Sequence, residues 1–97
     1  MADKTDAPYS VYILLCKGNV LYTGIAKDVV TRFEKHQAGK GAKFTKSHPP
    51  IKVMAHKVVG SKSNALKIEY VIKQMPRPKK LAYLRTLDES SFLEEKV

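Results

Sequence analysis

One acidic residue stands out in the middle of this chain. Residues 35–87 contain 13 Lys or Arg residues and a single acid, Glu69. A helix predicted over residues 64–75 places Glu69 at the edge of its apolar stripe, where a partly desolvated carboxylate requires a cation beside it. One such cation is Lys73, four residues along the helix. The other is Mg²⁺ or Mn²⁺, held by one carboxylate together with water and a substrate phosphate oxygen.

Arg32 and His36 are a second pair that could do chemistry. They lie four residues apart, so they share one face of a helix predicted to begin at the N-cap Asp28 and to end near residue 38. The guanidinium matches the oxygens of a phosphate, and a neutral imidazole can take or position a proton near pH 7. An exposed face carrying Arg and His is also an ordinary feature of a basic protein.

Tyr12 and Tyr22 lie in two predicted strands, over residues 9–16 and 20–25. A three-residue loop, Lys17-Gly18-Asn19, puts both rings on one face of the hairpin as diagonal neighbours, whereas a two-residue loop moves one of them to the other face. Such tyrosines ordinarily fill a core. To act as a proton acceptor, a tyrosine needs a nearby cation or metal that lowers its pKa, and Arg32 and a metal at Glu69 would supply both.

These candidates are positioned by a predicted order of ββαβαα. The first helix carries an apolar stripe of Val29, Val30 and Phe33. Residues 39–50 form a predicted mobile basic loop that ends in two prolines, and residues 51–59 form the third strand. The second helix has a stripe that includes Val71, with Ser61 or Ser63 as its N-cap, and a last helix has Pro78 in its first turn.

The composition indicates one domain. The 97 residues are 43% apolar and include a single cysteine, Cys16, so a disulfide framework and a thiol zinc site are excluded and a reducing, intracellular compartment is expected. We predict a domain over residues 9–87, with a loose leader at 1–8 and a polar tail at 88–97. No membrane span is expected, because the longest strongly apolar run is Val11–Cys16. We therefore expect the protein to be cytoplasmic and, if it is bacterial, to be associated with the nucleoid.

The charge indicates a polyanionic partner. The formal net charge is +9, and nucleic acid is the commonest polyanion that such a protein meets. The alternative is a solvated lysine surface without a ligand. The lysines expected to contact nucleic acid are Lys27, Lys35, Lys40, Lys43, Lys46 and Lys73.

Taken in order, these residues resemble the GIY-YIG nuclease superfamily. The matching motifs are Ser10-Val11-Tyr12, Tyr22-Thr23-Gly24, Arg32-x-x-x-His36 and Glu69 in a later helix. The chain is most similar to the small stand-alone branch and to the catalytic domain of structure-specific repair endonucleases. The resemblance implies an α+β fold with a three-stranded antiparallel sheet flanked by helices, and it selects the three-residue hairpin loop.

The resemblance also implies an activity, which is metal-dependent hydrolysis of DNA phosphodiester bonds in repair, recombination or DNA processing. Tyr12 then corresponds to the general base, Tyr22 orients groups around the phosphate, Arg32 stabilises the developing charge and His36 assists. Glu69 corresponds to the sole protein ligand of one Mg²⁺ or Mn²⁺ ion. The count of acidic residues also favours a single ion, because a two-metal site needs several carboxylates and residues 35–87 offer only one.

Both motif tripeptides depart from the family name, and two polar residues found in other branches are missing. Ile25 stands where other branches have a Lys, and no Asn downstream of Glu69 matches the polar residue often found there. These departures motivate a second hypothesis, a catalytically weak or inactive nucleic-acid-binding module that retains the fold on DNA or RNA. A third is a structural or protein-interaction role. A monomer is expected in each case.

Overall fold

The computed structural model describes residues 8–87. The strands are β1 (Tyr9–Cys16), β2 (Val20–Ala26) and β3 (Pro50–Gly60), and the helices are α1 (Val29–Gln37), α2 (Lys43–Ser47), α3 (Lys62–Gln74) and α4 (Arg77–Thr86). The predicted tail, and the predicted leader apart from Pro8, lie outside the described residues. No helix within residues 8–87 combines the length and apolar character needed to cross a bilayer.

The three strands form one antiparallel sheet in the order β2-β1-β3, which confirms the predicted α+β fold. Helices cover both faces. Val11 and Ile13 of β1 pack against α3 and α4, whereas Tyr12 and Leu14 point to the other face, where α1 packs. Because alternate residues of a strand point to opposite faces, β1 is the buried centre of both cores.

Side-chain caps explain where two of the helices begin. The Asp28 carboxylate accepts a hydrogen bond from the backbone N–H of Thr31 at 3.1 Å, as predicted for the start of α1. The Ser61 hydroxyl accepts one from Asn64 at 3.1 Å. Of the two serines considered, Ser61 is therefore the cap, and α3 begins at Lys62, earlier than predicted.

The segment expected to be a mobile basic loop is partly helical, so that prediction is wrong. Residues 43–47 form the one-turn helix α2, and Thr45 inside it is completely buried. The backbone N–H of Thr45 donates to the carbonyl of Ala42 at 3.1 Å, and the Thr45 hydroxyl donates to the same oxygen at 2.8 Å. These bonds fix the turn, and the observed order is ββααβαα.

Two predicted stripe residues also face solvent. Val30 is 66% exposed and Val71 is 40% exposed, so both predictions are wrong. The buried face of α1 runs instead through Val29, Phe33 and His36, at spacings of four and three residues. His36 takes a core position that hydrophobicity alone would not assign to it.

Candidate active site

The hairpin register decides where the two tyrosines point. Tyr12 pairs with Gly24, Leu14 pairs with Tyr22, and Cys16 pairs with Val20. The connection is therefore the three-residue loop, with Gly18 and Asn19 in the left-handed region at φ 88° and 60°. Both tyrosine rings lie on the α1 face of the sheet, with their centroids 6.4 Å apart.

The Tyr12 hydroxyl reaches across from the sheet to helix α1. It lies 2.9 Å from Nε2 of His36, and both side chains are buried. Gly24, the strand partner of Tyr12, makes room for this arrangement, because a Cβ added there would lie 2.5 Å from the Tyr12 oxygen. The pair joins the first motif to the helix that carries Arg32.

The second nitrogen of His36 is also engaged. Nδ1 lies 2.8 Å from Oγ1 of Thr45, which comes from α2. A Cβ added at Gly41 would overlap this nitrogen, so the bare backbone of Gly41 lets the chain pass over the imidazole. Burial, reinforced by the positive charge of Arg32, lowers the pKa of His36 below its usual value of 6.5. The imidazole is therefore neutral at pH 7.

Burial dominates the electrostatics of Tyr12. It raises the pKa of Tyr12 far above the usual 10, and the neighbouring Tyr22 adds to this shift. Arg32 acts in the opposite direction through its charge and a side-chain hydrogen bond, but its effect is smaller. Arg32 alone therefore does not make Tyr12 a phenolate, and Tyr12 is a neutral phenol in the protein without a metal.

Tyr22 lies between the His36 ring and the short helix α2. Its centroid is 5.2 Å from that of His36, edge to face, and 5.9 Å from that of Phe44, with the two rings 16° from parallel. Burial raises the pKa of Tyr22, Lys73 opposes this shift, and Glu69 adds to it. Two charged residues of helix α3 therefore act on Tyr22, and they act in opposite directions.

Glu69 approaches this group from the helix on the opposite face of the sheet. Its Oε2 accepts an ion pair from the Lys73 ammonium at 3.0 Å, and the Glu69 side chain is 19% exposed. The first of the two predicted cations is therefore present. A pocket of about 260 Å³ is lined by Leu21 and Thr23 from one face of β2, Tyr22 from the other, and Lys73. The site thus wraps around the free edge of the sheet at β2.

Residues 8–82 match the family model of the GIY-YIG catalytic domain. The chain belongs to the GIY-YIG family. The UPF0213 protein of Cupriavidus pinatubonensis is 46% identical over 84 residues, which cover 87% of this chain and 93% of that protein. The UPF0213 protein of Staphylococcus aureus is 48% identical over 75 residues, covering 77% and 92%.

The solution NMR structure of the UPF0213 protein from Bacillus halodurans is 40% identical, covers 79% of this chain and 82% of that one, and superposes with a TM-score of 0.49. The resemblance inferred from the motifs is confirmed by the family match. GIY-YIG proteins are nucleases as a family, act on nucleic acid and generally use divalent metal ions.

The donor set fits one weakly held divalent ion. Among residues 8–87 there is no cluster of three or more His, Cys, Asp or Glu side chains that could hold a metal. Magnesium, however, usually keeps several waters and needs only one or two carboxylates plus substrate phosphate. Glu69 offers such a carboxylate, and the exposed Lys73 ammonium would have to yield to the ion.

Three of the six lysines predicted to bind nucleic acid line pockets that also contain candidate site residues. Lys27 and Lys35 line an open pocket of about 360 Å³ together with Arg32, and the Lys27 ammonium lies 5.6 Å from the centre of the Tyr9 ring. The third is Lys73 beside Tyr22. The others are Lys43 and Lys46 on α2 and the exposed Lys40 before that helix.

Sequence reasoning missed two site residues, Thr45 and Phe44, and the part played by Gly41. All three lie in the segment that was predicted to be a loop. Its lysines and glycines are typical of a loop, so the single helical turn was not predicted.

Proposed function

We propose that this chain is a nuclease that hydrolyses DNA phosphodiester bonds with one Mg²⁺ or Mn²⁺ ion and Tyr12 as the general base. The observation that carries the proposal is the 2.9 Å contact between the Tyr12 hydroxyl and His36. Membership of the GIY-YIG family supports it, as do the opposing charges of Arg32 and Glu69, which act on both tyrosines.

The buried pair solves the problem of a phenol with a raised pKa. A neutral phenol is a poor base, but it can accept a proton from the attacking water while it passes its own proton to Nε2 of His36. The oxygen of water bonds to phosphorus while one ester P–O bond of the DNA strand breaks, and solvent water protonates the leaving alkoxide. One proton of the attacking water moves to Tyr12, and the original Tyr12 proton moves to the imidazole. His36 thus becomes a positively charged imidazolium, and no free phenolate forms.

The remaining residues act on the phosphate. Arg32 stabilises the negative charge that builds on the phosphoryl oxygens, and Tyr22 orients the group from the edge of β2. Glu69 would hold the divalent ion, which supplies Lewis-acid stabilisation of charge on phosphate oxygens when bound. DNA repair, recombination or processing is the proposed setting, by resemblance to structure-specific repair endonucleases.

A nucleic-acid-binding module without turnover is the second candidate. It is favoured by the ion pair between Lys73 and Glu69, because this pair already neutralises the carboxylate that a metal would need. The two candidates differ in what the loss of that carboxylate does to cleavage, and agree in what it does to binding. Removing one negative charge strengthens binding to a polyanion in both cases, but it abolishes cleavage only if Glu69 serves catalysis.

The test is cleavage of single-stranded, flapped and duplex DNA oligonucleotides with Mg²⁺ or Mn²⁺ and with chelator. Glu69→Gln and Arg32→Ala are compared with Glu34→Gln and Arg85→Ala, exposed controls of matched charge. We expect chelator and Glu69→Gln to abolish cleavage and Arg32→Ala to reduce kcat about 10²–10³-fold. Cleavage that survives all three changes contradicts the proposed site, and salt-dependent binding without turnover under any metal supports the second candidate.

A further inference from the structure

The hydrogen bonds around Thr45 have only one consistent set of directions. A carbonyl oxygen can only accept, so the single hydroxyl hydrogen of Thr45 points to the carbonyl of Ala42, at 2.8 Å. The Thr45 oxygen can then only accept from His36, whose Nδ1 lies 2.8 Å away. Nδ1 of His36 therefore carries the proton.

The same reasoning fixes the other side of the ring. In a neutral imidazole, a proton on Nδ1 leaves Nε2 with a lone pair and no hydrogen. The Tyr12 hydroxyl, 2.9 Å from Nε2, is then the donor. One chain of hydrogen bonds runs from Tyr12 through His36 and Thr45 to Ala42, and each donor in it points to the next residue of the chain.

From this arrangement we infer that Thr45 is a positioning residue: its hydroxyl holds His36 in the Nδ1–H tautomer and so keeps Nε2 free to receive the Tyr12 proton. The inference rests on the proposed roles of Tyr12 and His36 in the nuclease reaction. Helix α2 then has a structural role in the site, because its single turn places the buried Thr45 hydroxyl against the imidazole. In the opposite tautomer Nε2 would carry a hydrogen, and the proton of Tyr12 would have no acceptor.

Three features of the fold hold Thr45 in this role. Its side chain is completely buried, so water does not compete for its oxygen. The Ala42 carbonyl also accepts the backbone N–H of Thr45 at 3.1 Å, which fixes the hydroxyl and the backbone to one acceptor. Gly41 leaves the space that the imidazole needs at Nδ1.

The direct test is the tautomer itself, read from the side-chain nitrogen chemical shifts of His36 by NMR in the full chain at neutral pH. We expect the Nδ1–H form in the wild type and in Thr45→Ser, which keeps the hydroxyl. In Thr45→Val, which is isosteric but has no hydroxyl, we expect the Nε2–H form to become populated, because a free imidazole mildly favours it. A wild-type His36 in the Nε2–H form overturns the inference, and this arm needs no variant to fold.

Kinetics supply the second arm. We expect Thr45→Val to lower kcat for oligonucleotide cleavage at least 10-fold with little change in KM, and Thr45→Ser to restore most of the loss. The groups that face His36 are Tyr12 from β1, Tyr22 from β2 and Arg32 from its own helix, and all three remain in both variants. An equal loss in Thr45→Ser and Thr45→Val contradicts the inference, because the loss would then follow packing and not the hydroxyl.

The two arms also separate this inference from the proposed function. A tautomer that follows the Thr45 hydroxyl, in a protein with no nuclease activity under any metal, leaves the positioning role in place and contradicts the proposed reaction. An active nuclease whose His36 tautomer ignores Thr45→Val contradicts the positioning role alone. Thr86→Val is the matched control, because its hydroxyl donates to the carbonyl of Tyr83 on the exposed end of α4.

Discussion

The hydroxyl of Tyr12 and Nε2 of His36 lie 2.9 Å apart in the interior of the protein. The two residues are separated by 24 positions in the chain and join the central strand to the helix of the third motif. In the proposed reaction this contact means that the phenol does not need to ionise before the water attacks. It needs only a neutral imidazole beside it.

Removing the Tyr12 hydroxyl tests that chemistry most directly. Tyr12→Phe keeps the ring that packs in the core but leaves the buried Nε2 of His36 without its donor, so we expect the free energy of unfolding to fall by about 1–3 kcal/mol. We expect kcat to fall about 10²–10⁴-fold, the range for a lost general base. The measurements are single-turnover cleavage and urea unfolding. Tyr83→Phe on α4 is the control, and near-wild-type kcat in Tyr12→Phe would contradict the general-base role.

Two glycines make room for the reacting side chains. A Cβ at position 24 would lie 2.5 Å from the Tyr12 oxygen, and one at position 41 would overlap His36. We expect Gly24→Ala and Gly41→Ala each to displace their partner and to lower kcat about 10²-fold, as a shift of about 1 Å does in other enzymes.

Gly39→Ala is the contrasting glycine variant. No atom lies within 4 Å of a Cβ built at Gly39, but its φ is 77°, so the substitution costs about 1 kcal/mol of stability through backbone strain alone. We expect its kcat to remain unchanged when it is measured well below its melting temperature. A loss of activity as large as that of Gly41→Ala would mean that strain, and not contact with the imidazole, governs this segment.

Stability should depend on pH through His36. Its pKa is lowered in the folded protein by burial and by Arg32, so the unfolded chain binds more protons between the folded pKa and about 6.5. The contribution of His36 to the free energy of unfolding is therefore fully present above about pH 6.5. It is lost as the pH falls from there through the folded pKa of His36. The slope cannot exceed about 1.4 kcal/mol per pH unit for one proton.

Urea unfolding between pH 5 and 7.5 measures this effect. We expect the slope to be weaker in His36→Gln and unchanged in His56→Gln, which removes an exposed histidine of β3. Because Arg32 contributes to the shift, an NMR titration of Arg32→Ala should also show the pKa of His36 moving upward. A His36 pKa above 6.5 in the wild type would contradict the neutral imidazole on which the proposed reaction depends.

Lys73 should have two opposing effects. It holds the Glu69 carboxylate at 3.0 Å, so Lys73→Gln frees this group for a metal. We expect the Mg²⁺ concentration at half-maximal cleavage to fall about twofold, which corresponds to an exposed helical ion pair of about 0.3–0.5 kcal/mol. Because Lys73 also faces the pocket beside Tyr22, binding to duplex DNA should lose about 0.9 of its log–log salt slope.

Lys67→Gln, on an exposed position of the same helix, is the control for Lys73→Gln. Metal titrations of cleavage and salt titrations of binding measure the two effects separately. Unchanged Mg²⁺ dependence in Lys73→Gln would mean that the ion pair does not compete with metal at Glu69.

The amino-acid sequence by itself determined the family, the sheet and the helices with strong caps. The family was evident from the order and spacing of five residues, which are Tyr12, Tyr22, Arg32, His36 and Glu69. The hairpin was predicted from the turn signal at Lys17-Gly18-Asn19, although that signal left its register open, and the start of α1 was predicted from the capping side chain of Asp28. The isolated acid was visible because charge can be counted along a chain without knowing how it folds.

The tertiary structure alone decided what these residues touch. The one-turn helix over residues 43–47 has too few residues to be stable by itself, and it forms because Thr45 is buried beneath His36. The burial of His36 and the raised pKa of Tyr12 have the same origin, since desolvation depends on atoms contributed by several distant segments. Spacing along the chain fixes which residues share a strand or helix face, whereas proton positions depend on contacts that exist only after those faces have packed together.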